Sequence, residues 1–403
     1  MDRTAMKERF SACFGSEGEL HFFSAPGRTE IGGNHTDHQH GKVLAAAINL
    51  EMLAAVAENG TRKIRLMSEG FDLTEVDLDD LGKKEEEVNT TASLIRGIAA
   101  YYSGMAEGIR GGNIDRKLRG IDVYVTSTVL PGSGLSSSAA FEVLVGTILN
   151  HLFNSVGSSA VEVAQIGQWA ENNYFGKPCG LMDQTASSVG NIITIDFNDP
   201  TVPVVERIDF DFASAGHALC IIDSHASHAD LTHEYASIPY EMKDVSHVFG
   251  KEFLRDVDEQ EFYARLPEVR AAAGDRATLR AIHIFEDNRR VSLQVEALRT
   301  GDFDTFLALV RESGLSSWRF LQNVAPTGST RCQEVAFSLA LAERLLKGRG
   351  ACRVHGGGFA GTIQAFVPLD MLEEFRSGMD AVLGEGSCHV LSIRAEGGVK
   401  LEG

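Results

Sequence analysis

Four short segments carry residue types and spacings that could do chemistry. The first is Leu130-Pro131-Gly132-Ser133-Gly134-Leu135-Ser136-Ser137-Ser138-Ala139-Ala140. A strand-like stretch leads into it, and a helix-like stretch begins at its serines. Gly132 and Gly134 let the backbone approach a ligand closely. The free N–H groups and positive dipole end of a helix then favour phosphate. Ser136, Ser137 and Ser138 add hydroxyls for phosphate or a metal. A plain helix cap needs only one serine, so this run reads as phosphate-binding. It is not a Walker A loop, because G-x-x-x-x-G-K-[ST] occurs nowhere in the chain. Nor does it have the Gly-x-Ser-x-Gly spacing of a hydrolase nucleophile elbow.

The second segment, Arg28 to Gly41, packs an Arg, two acids and three His into one stretch made bendable by Gly32 and Gly33. As a sugar- or polyol-binding loop it would offer Asn34, His35 and Asp37 to hydroxyls. As a metal site it would offer His35, Asp37, His38 and His40, with His225, His228 and His233 elsewhere. As a polar surface loop it would simply be solvated. The residues alone leave these three readings open.

The third segment is Cys179-Gly180-Leu181-Met182-Asp183-Gln184. An Asp among apolar neighbours is costly to bury unpaired, and Arg28 is the candidate partner. Such a pair would hold Asp183 ionised as a base or orienter for a hydroxyl. It would equally serve as a structural ion pair. In the fourth, Gly356, Gly358 and Gly361 match G-x-G-x-x-G. A strand-like run follows, where a dinucleotide fingerprint needs a helix. This segment reads as a backbone lid touching phosphates or substrate, or as a plain tight hairpin turn.

The elements that must position these segments follow from the hydrophobic pattern. Residues 20–24 read as a strand ending at Pro26-Gly27, with a loop from 28 to 42. Residues 43–57 are apolar and fit strand or helix; 61–67 and 121–129 alternate as strands. Helical spacing runs through 94–102, 136–153, 160–172, 277–299 and 303–312. Strands are expected at 192–197, 218–223, 351–355, 362–367 and 389–394. The fold class is therefore α+β in two lobes, with the boundary near 199–203. The chain's 403 residues suit two or three domains at roughly 150 residues each.

Composition narrows the partners. Thirty-seven basic against 56 acidic residues leave a net charge of −19. That argues against a nucleic-acid or anionic-membrane binder, while leaving room for a local basic site. No uncharged apolar stretch is long enough for a membrane span. The N-terminus has no apolar signal region, and the six cysteines are scattered with no C-x-x-C pair. A cytoplasmic protein with reduced thiols is expected, a monomer being favoured.

In this order the segments resemble the GHMP kinases, and within them the galactokinases. The family signature A-P-G-R-V-N-L-I-G-E-H-T-D corresponds to Ala25 through Asp37. The phosphate loop, the Pro178-to-Gln184 segment, the stretch Arg280 to Val291 and the last glycine motif also match. The resemblance spans about Phe22 to Val367.

It implies a two-lobed GHMP-kinase fold with the active site in the cleft between the lobes. Residues 1–200 would carry the sugar loop and the Gly-Ser loop, and residues 201–403 the last glycine motif. It further implies ATP and Mg²⁺ as cofactors, and transfer of the γ-phosphoryl group to the anomeric hydroxyl of galactose. By position, Asp183 would be the base and Arg28 its catalytic partner. Ser138 and Glu171 would hold Mg²⁺. Pro131, Gly132, Ser133, Gly134, Leu135, Ser136 and Ser137 would hold the ATP phosphates together with Ser138, Gly357 and Gly358. Asn34, His35, Asp37 and Tyr235 would meet the sugar.

The chain departs from the family where specificity is set. Asn34 stands for the family's Glu, whose place is on the C6 side of the sugar. Thr29, Glu30 and Gly32 stand for Val, Asn and Ile, and the Arg-Arg pair expected after Tyr235 is absent. Loss of a negative charge at 34 makes galacturonate or another galactose derivative an alternative substrate. A non-catalytic sugar sensor on the same fold and a histidine-based metal hydrolase are the rival classes. The hydrolase leaves the Gly-Ser loop and Met182-Asp183-Gln184 without a role.

Overall fold

The computed structural model describes residues 3–15, 18–104, 118–129, 134–155, 157–177, 179–227 and 231–402. Pro131, Gly132, Ser133, Pro178 and His228 therefore lie outside the described residues.

The first sheet holds β1 (His21–Gly32), β2 (Lys42–Glu58), β3 (Lys63–Ser68), β4 (Thr74–Asp77), β5 (Ile121–Ser127), β6 (Ile192–Asp196) and β7 (Val204–Ile208). The second holds β8 (His217–Ala226), β9 (Ala351–Val354), β10 (Gly361–Pro368) and β11 (Cys388–Leu391), in the order β11-β8-β10-β9. The chain then returns to the first sheet as β12 (Val399–Leu401), giving the order β12-β1-β2-β5-β3-β4, with β6 on β2 and β7 on β6. The pairing of β3 with β5 is parallel, and the remaining ladders are antiparallel. The mixed helix and sheet content agrees with the expected α+β class.

One sequence expectation needs correction. The first strand does not stop at Pro26-Gly27. It runs on to Gly32 through irregularities in its pairing with β2 at Pro26/Arg28 and Glu30/Gly32. Those shifts let a proline stay in the ladder. Arg28 and Glu30 consequently sit on a strand instead of a loop, two residues apart and so on one face. The expected boundary at 199–203 falls between β6 and β7, which pair with each other. With β12 also returning, the first sheet is not confined to residues 1–200.

The apolar run 43–57 is strand, not helix. Its alanines and branched residues are buried between β1, β5 and β6. Helix Ser137–Phe153 is buried on nearly every side. It packs on β1, on β2 and on helices Thr91–Tyr102 and Ala160–Ala170, which explains apolar residues around its whole circumference. Its N-terminus is thereby fixed against β1. Helix Ala160–Ala170 runs into a wider turn, Glu171–Phe175, closed by Gly176 N–H donating to the Glu171 carbonyl at 2.9 Å. Such wide turns recur at functional sites, and this one carries Glu171.

Candidate active site

Arg28 projects from β1 and is 6% exposed. Asp183 stands in the first turn of helix Met182–Val189. The two meet in a two-point pair, Nε to Oδ1 at 2.6 Å and Nη2 to Oδ2 at 2.7 Å. Arg28 Nη1 also donates to the Gly134 carbonyl, and the Arg28 backbone N–H donates to the Leu135 carbonyl at 3.1 Å. Gly27 permits this approach, because a Cβ there would collide with the Leu135 carbonyl. One arginine thus joins strand, Gly-Ser segment and acid.

Ser136 precedes the helix with φ of 55°, a left-handed conformation unusual for a residue with a side chain. It does not cap the helix. Its hydroxyl instead donates to Asp183 Oδ2. Burial raises the Asp183 carboxyl, but the Arg28 charge, the Arg28 hydrogen bonds and the Ser136 hydroxyl outweigh it. The acid ends below its ordinary value. Its side chain keeps 31% exposure.

That exposure is toward a cavity of about 260 Å³, whose lining includes Arg28, Glu30, His35, Asp37, Asp183 and Gly357. Lys177, Ser138 and Glu171 line it as well. The expected base, arginine, sugar-loop and metal residues therefore largely converge. His35 is buried, and its Nε2 meets the Gly357 carbonyl at 3.0 Å. Burial, then His38, pull its pKa down to about 3. The ring is neutral, with Nε2–H donating and Nδ1 left as a buried acceptor with no protein partner. Asp37 lies against Gly180 so tightly that any Cβ at 180 would overlap its carboxylate.

Two expected sugar contacts are placed elsewhere. Asn34 is fully buried and does not line the cavity. Its Nδ2 donates to Glu30 Oε1 at 3.0 Å and to the Gly356 carbonyl at 2.6 Å, and its Oδ1 accepts from Asn323 at 2.8 Å. Tyr235 donates its hydroxyl to the Gly358 carbonyl at 2.9 Å and lays its ring on Gly357. It supports the glycine turn from behind. Gly357 reaches the cavity, whereas Gly358 packs on Asn323.

The hydrolase reading loses its ligands. His40 stacks on Phe253 with ring centroids 3.7 Å apart, and His225 bonds Ser387 at 2.8 Å. Among the described residues no three His, Cys, Asp or Glu gather as a metal cage.

A magnesium site asks for less: one or two carboxylates, with phosphate oxygens and water completing it. Gln184 Nε2 bridges Glu142 Oε2 at 2.9 Å and Glu171 Oε2 at 3.0 Å. Glu142 Oε1 is buried without a partner. Burial, then the Glu171 charge, raise the Glu142 carboxyl well above its ordinary value. Ser138 lies one turn before Glu142 on the same helix face. These hard oxygen donors, one of them orphaned, fit Mg²⁺.

Sequence reasoning missed Glu142, Lys177 and His355. Glu142 had a signal in its four-residue spacing from Ser138. Lys177 Nζ lies 3.6 Å from Glu171 Oε1 and had none beyond its neighbourhood. His355 is buried behind the glycine turn, taking Glu30 N–H at 3.2 Å on Nε2 and facing Thr362 Oγ1 at 2.9 Å on Nδ1.

With this geometry in hand, known proteins give a consistent comparison. Residues 8–58 match the galactokinase galactose-binding signature, and residues 94–191 match the GHMP kinases N-terminal domain. The galactokinase of Glaesserella parasuis serovar 5 is 32% identical over 376 residues, 91% of this chain and 90% of that protein. The chain belongs to the galactokinase family of GHMP kinases. The galactokinase of Streptomyces coelicolor is likewise 32% identical, over 93% of this chain and 89% of its own length. The crystal structure of Lactococcus lactis galactokinase complexed with galactose superposes with a TM-score of 0.82 at 26% identity, covering 99% of this chain and 100% of that one. A mevalonate kinase structure, at TM-score 0.62 and 14% identity over 93% of this chain and 99% of its own, shares the fold.

Proposed function

We propose that this galactokinase-family chain is an ATP-dependent sugar 1-kinase, converting galactose and ATP to galactose 1-phosphate and ADP. The observation that carries the reading is the two-point Arg28–Asp183 pair facing the cavity. An acid held ionised by an arginine can accept the hydrogen of a hydroxyl and aim its oxygen. That oxygen attacks the γ-phosphorus, and the bond to the β–γ bridging oxygen breaks. The hydroxyl proton passes to Asp183, and ADP leaves. Arg28 and Lys177 supply positive charge where the transferring group gathers negative charge.

Gly134, Leu135 and the N-terminus of helix Ser137–Phe153 face the phosphates. His35 Nδ1 and Asp37 accept hydrogen bonds from sugar hydroxyls. Ser138 and Glu171, with Glu142 beside them, would hold Mg²⁺, which supplies neutralising charge on the nucleotide phosphates. The six unpaired cysteines suit a reducing, cytoplasmic setting.

The test is ADP release with Mg-ATP against galactose, galacturonate, N-acetylgalactosamine, glucose and L-arabinose. Highest turnover on galactose supports the reading. Silence on every sugar, with binding retained, would replace it with a sensor.

A further inference from the structure

The signature that this chain resembles implies Asn at position 30 and Glu at position 34, whereas the chain has Glu30 and Asn34. The two departures are one exchange. The residues touch, Asn34 Nδ2 donating to Glu30 Oε1 at 3.0 Å, so the carboxylate and the carboxamide have traded places within a bonded pair.

Glu30, not Asn34, lines the cavity. Its position is fixed from several sides. Arg353, whose side chain is fully buried, pairs with Oε1 through Nη2 and holds the Ile31 carbonyl at 3.0 Å through Nη1. His355 takes the Glu30 N–H, and Gln364 Nε2 donates to the Glu30 carbonyl at 2.9 Å. Both side-chain bonds fall on Oε1, so Oε2 keeps its lone pairs for the cavity. Asn34 has no such freedom, since its amide and its oxygen are consumed by Glu30, Gly356 and Asn323.

Arg28 and Glu30 share one face of β1, about 7 Å apart at two strand residues. With the anomeric hydroxyl at Asp183 on the Arg28 side, a pyranose ring lying along the strand brings its opposite end to Glu30. We propose that Glu30 is the specificity-determining residue of this chain, accepting a hydrogen bond from a sugar hydroxyl remote from the anomeric carbon. Asn34 and Arg353 act as its positioning residues. The inference rests on the sugar-kinase reading above and names its substrate class: a neutral hexose with a hydroxyl at that end, not a uronate. A substrate carboxylate there would face Glu30, and like charges repel at this range.

The experiment compares galactose, 4-deoxygalactose, 6-deoxygalactose and galacturonate with the full chain and Mg-ATP, reading kcat/KM for each and Kd by calorimetry. The wild type should prefer galactose over one of the two deoxy sugars by about a hundredfold or more, because a buried acceptor left unpaired is heavily penalised. Galacturonate should be poor. In Glu30→Gln the preference over that same deoxy sugar should shrink at least about tenfold, a ratio that a loss of folded protein does not change. An unchanged ratio in Glu30→Gln overturns the proposal. So does a wild type that accepts both deoxy sugars, or galacturonate, as well as galactose, whether or not the variant folds. A wild type that binds galactose without turning it over defeats the kinase reading alone, and the Kd series then decides the role of Glu30.

Discussion

Arg28 grips Asp183 through two parallel hydrogen bonds, 2.6 and 2.7 Å long, while its third nitrogen holds the Gly134 carbonyl. The acid proposed to face the acceptor hydroxyl and the loop proposed for the phosphates are therefore set by one side chain. Their relative position does not depend on a flexible linker.

Asp183→Asn keeps the shape and removes the acceptor charge. Turnover should fall by about 10²- to 10⁴-fold, with ATP affinity nearly unchanged. Single-turnover ADP formation beside a nucleotide titration checks it. Near-normal turnover would leave Asp183 with a purely structural role.

Arg28→Lys preserves the charge and loses the planar fork. A lysine cannot bond both carboxylate oxygens and the Gly134 carbonyl in one geometry. The expected outcome is a fall in kcat of about tenfold or more, with Asp183 less firmly held ionised. The acid limb of the pH–rate profile should then move upward. An acid limb that stays in place would show that Arg28 does not set the Asp183 acidity.

The chemistry was more legible in the sequence than the framework. Arg28, Asp183, His35 and Asp37 were readable because charged side chains beside glycines in apolar surroundings need partners. The Arg28–Asp183 pairing follows from charge, whereas the place of His35 and Asp37 beside it follows only from the family resemblance, since the residues alone leave their segment open to sugar, metal or solvent. The run of β1 through Pro26 was not readable, since a Pro-Gly pair ordinarily ends a strand and only the irregular pairing with β2 rescues it. Asn34 reads as a sugar contact because its amide offers a donor and an acceptor to hydroxyls and it stands at the position of the family's Glu. Its burial against Asn323 and Gly356 depends on segments about three hundred residues away, which no local pattern reports. The inward-facing role of Glu30 was hidden for the same reason.

His35 gives a pH signature. Its folded value, about 3, lies below the ordinary value of 6.5. Between the two the unfolded chain binds the proton and the folded chain does not. The His35 contribution to stability is therefore complete above about pH 6.5 and is lost as pH falls toward 3, at ~1.4 kcal/mol per pH unit. Thermal unfolding of wild type and His35→Asn at pH 7, 6 and 5 isolates this contribution, since other groups cancel in the difference. The gap between the two proteins should narrow with acidification. A constant gap would mean that His35 is not held neutral.

Gly180→Ala addresses the sugar end. The added methyl has no room beside the Asp37 carboxylate, so Asp37 must swing away from its place in the cavity. With Asp37 in its proposed place on the sugar and outside the bond exchange, KM for the sugar should rise about tenfold or more with a smaller change in kcat. Equal loss in both parameters would point to displacement of Asp183, three residues on.

Gln184 offers the sharpest separation of metal from sugar. Its amide nitrogen spans Glu142 and Glu171, tying the fully buried Glu142 carboxyl to the Glu171 carboxyl at the cavity wall. In Gln184→Leu the pair loses its shared donor, and the Glu171 carboxylate is free to turn toward Lys177, 3.6 Å away. The site would then need more Mg²⁺ to reach the same occupancy, by about 10- to 100-fold, as expected when a partner that orients a ligand is removed. A Mg²⁺ titration of ADP release should show that shift, with turnover largely recovered at saturating metal and the sugar KM little changed. If turnover stays low at every Mg²⁺ concentration, Gln184 acts instead on Asp183, its neighbour in the same helical turn. An unshifted titration would remove Glu171 from the proposed metal ligands.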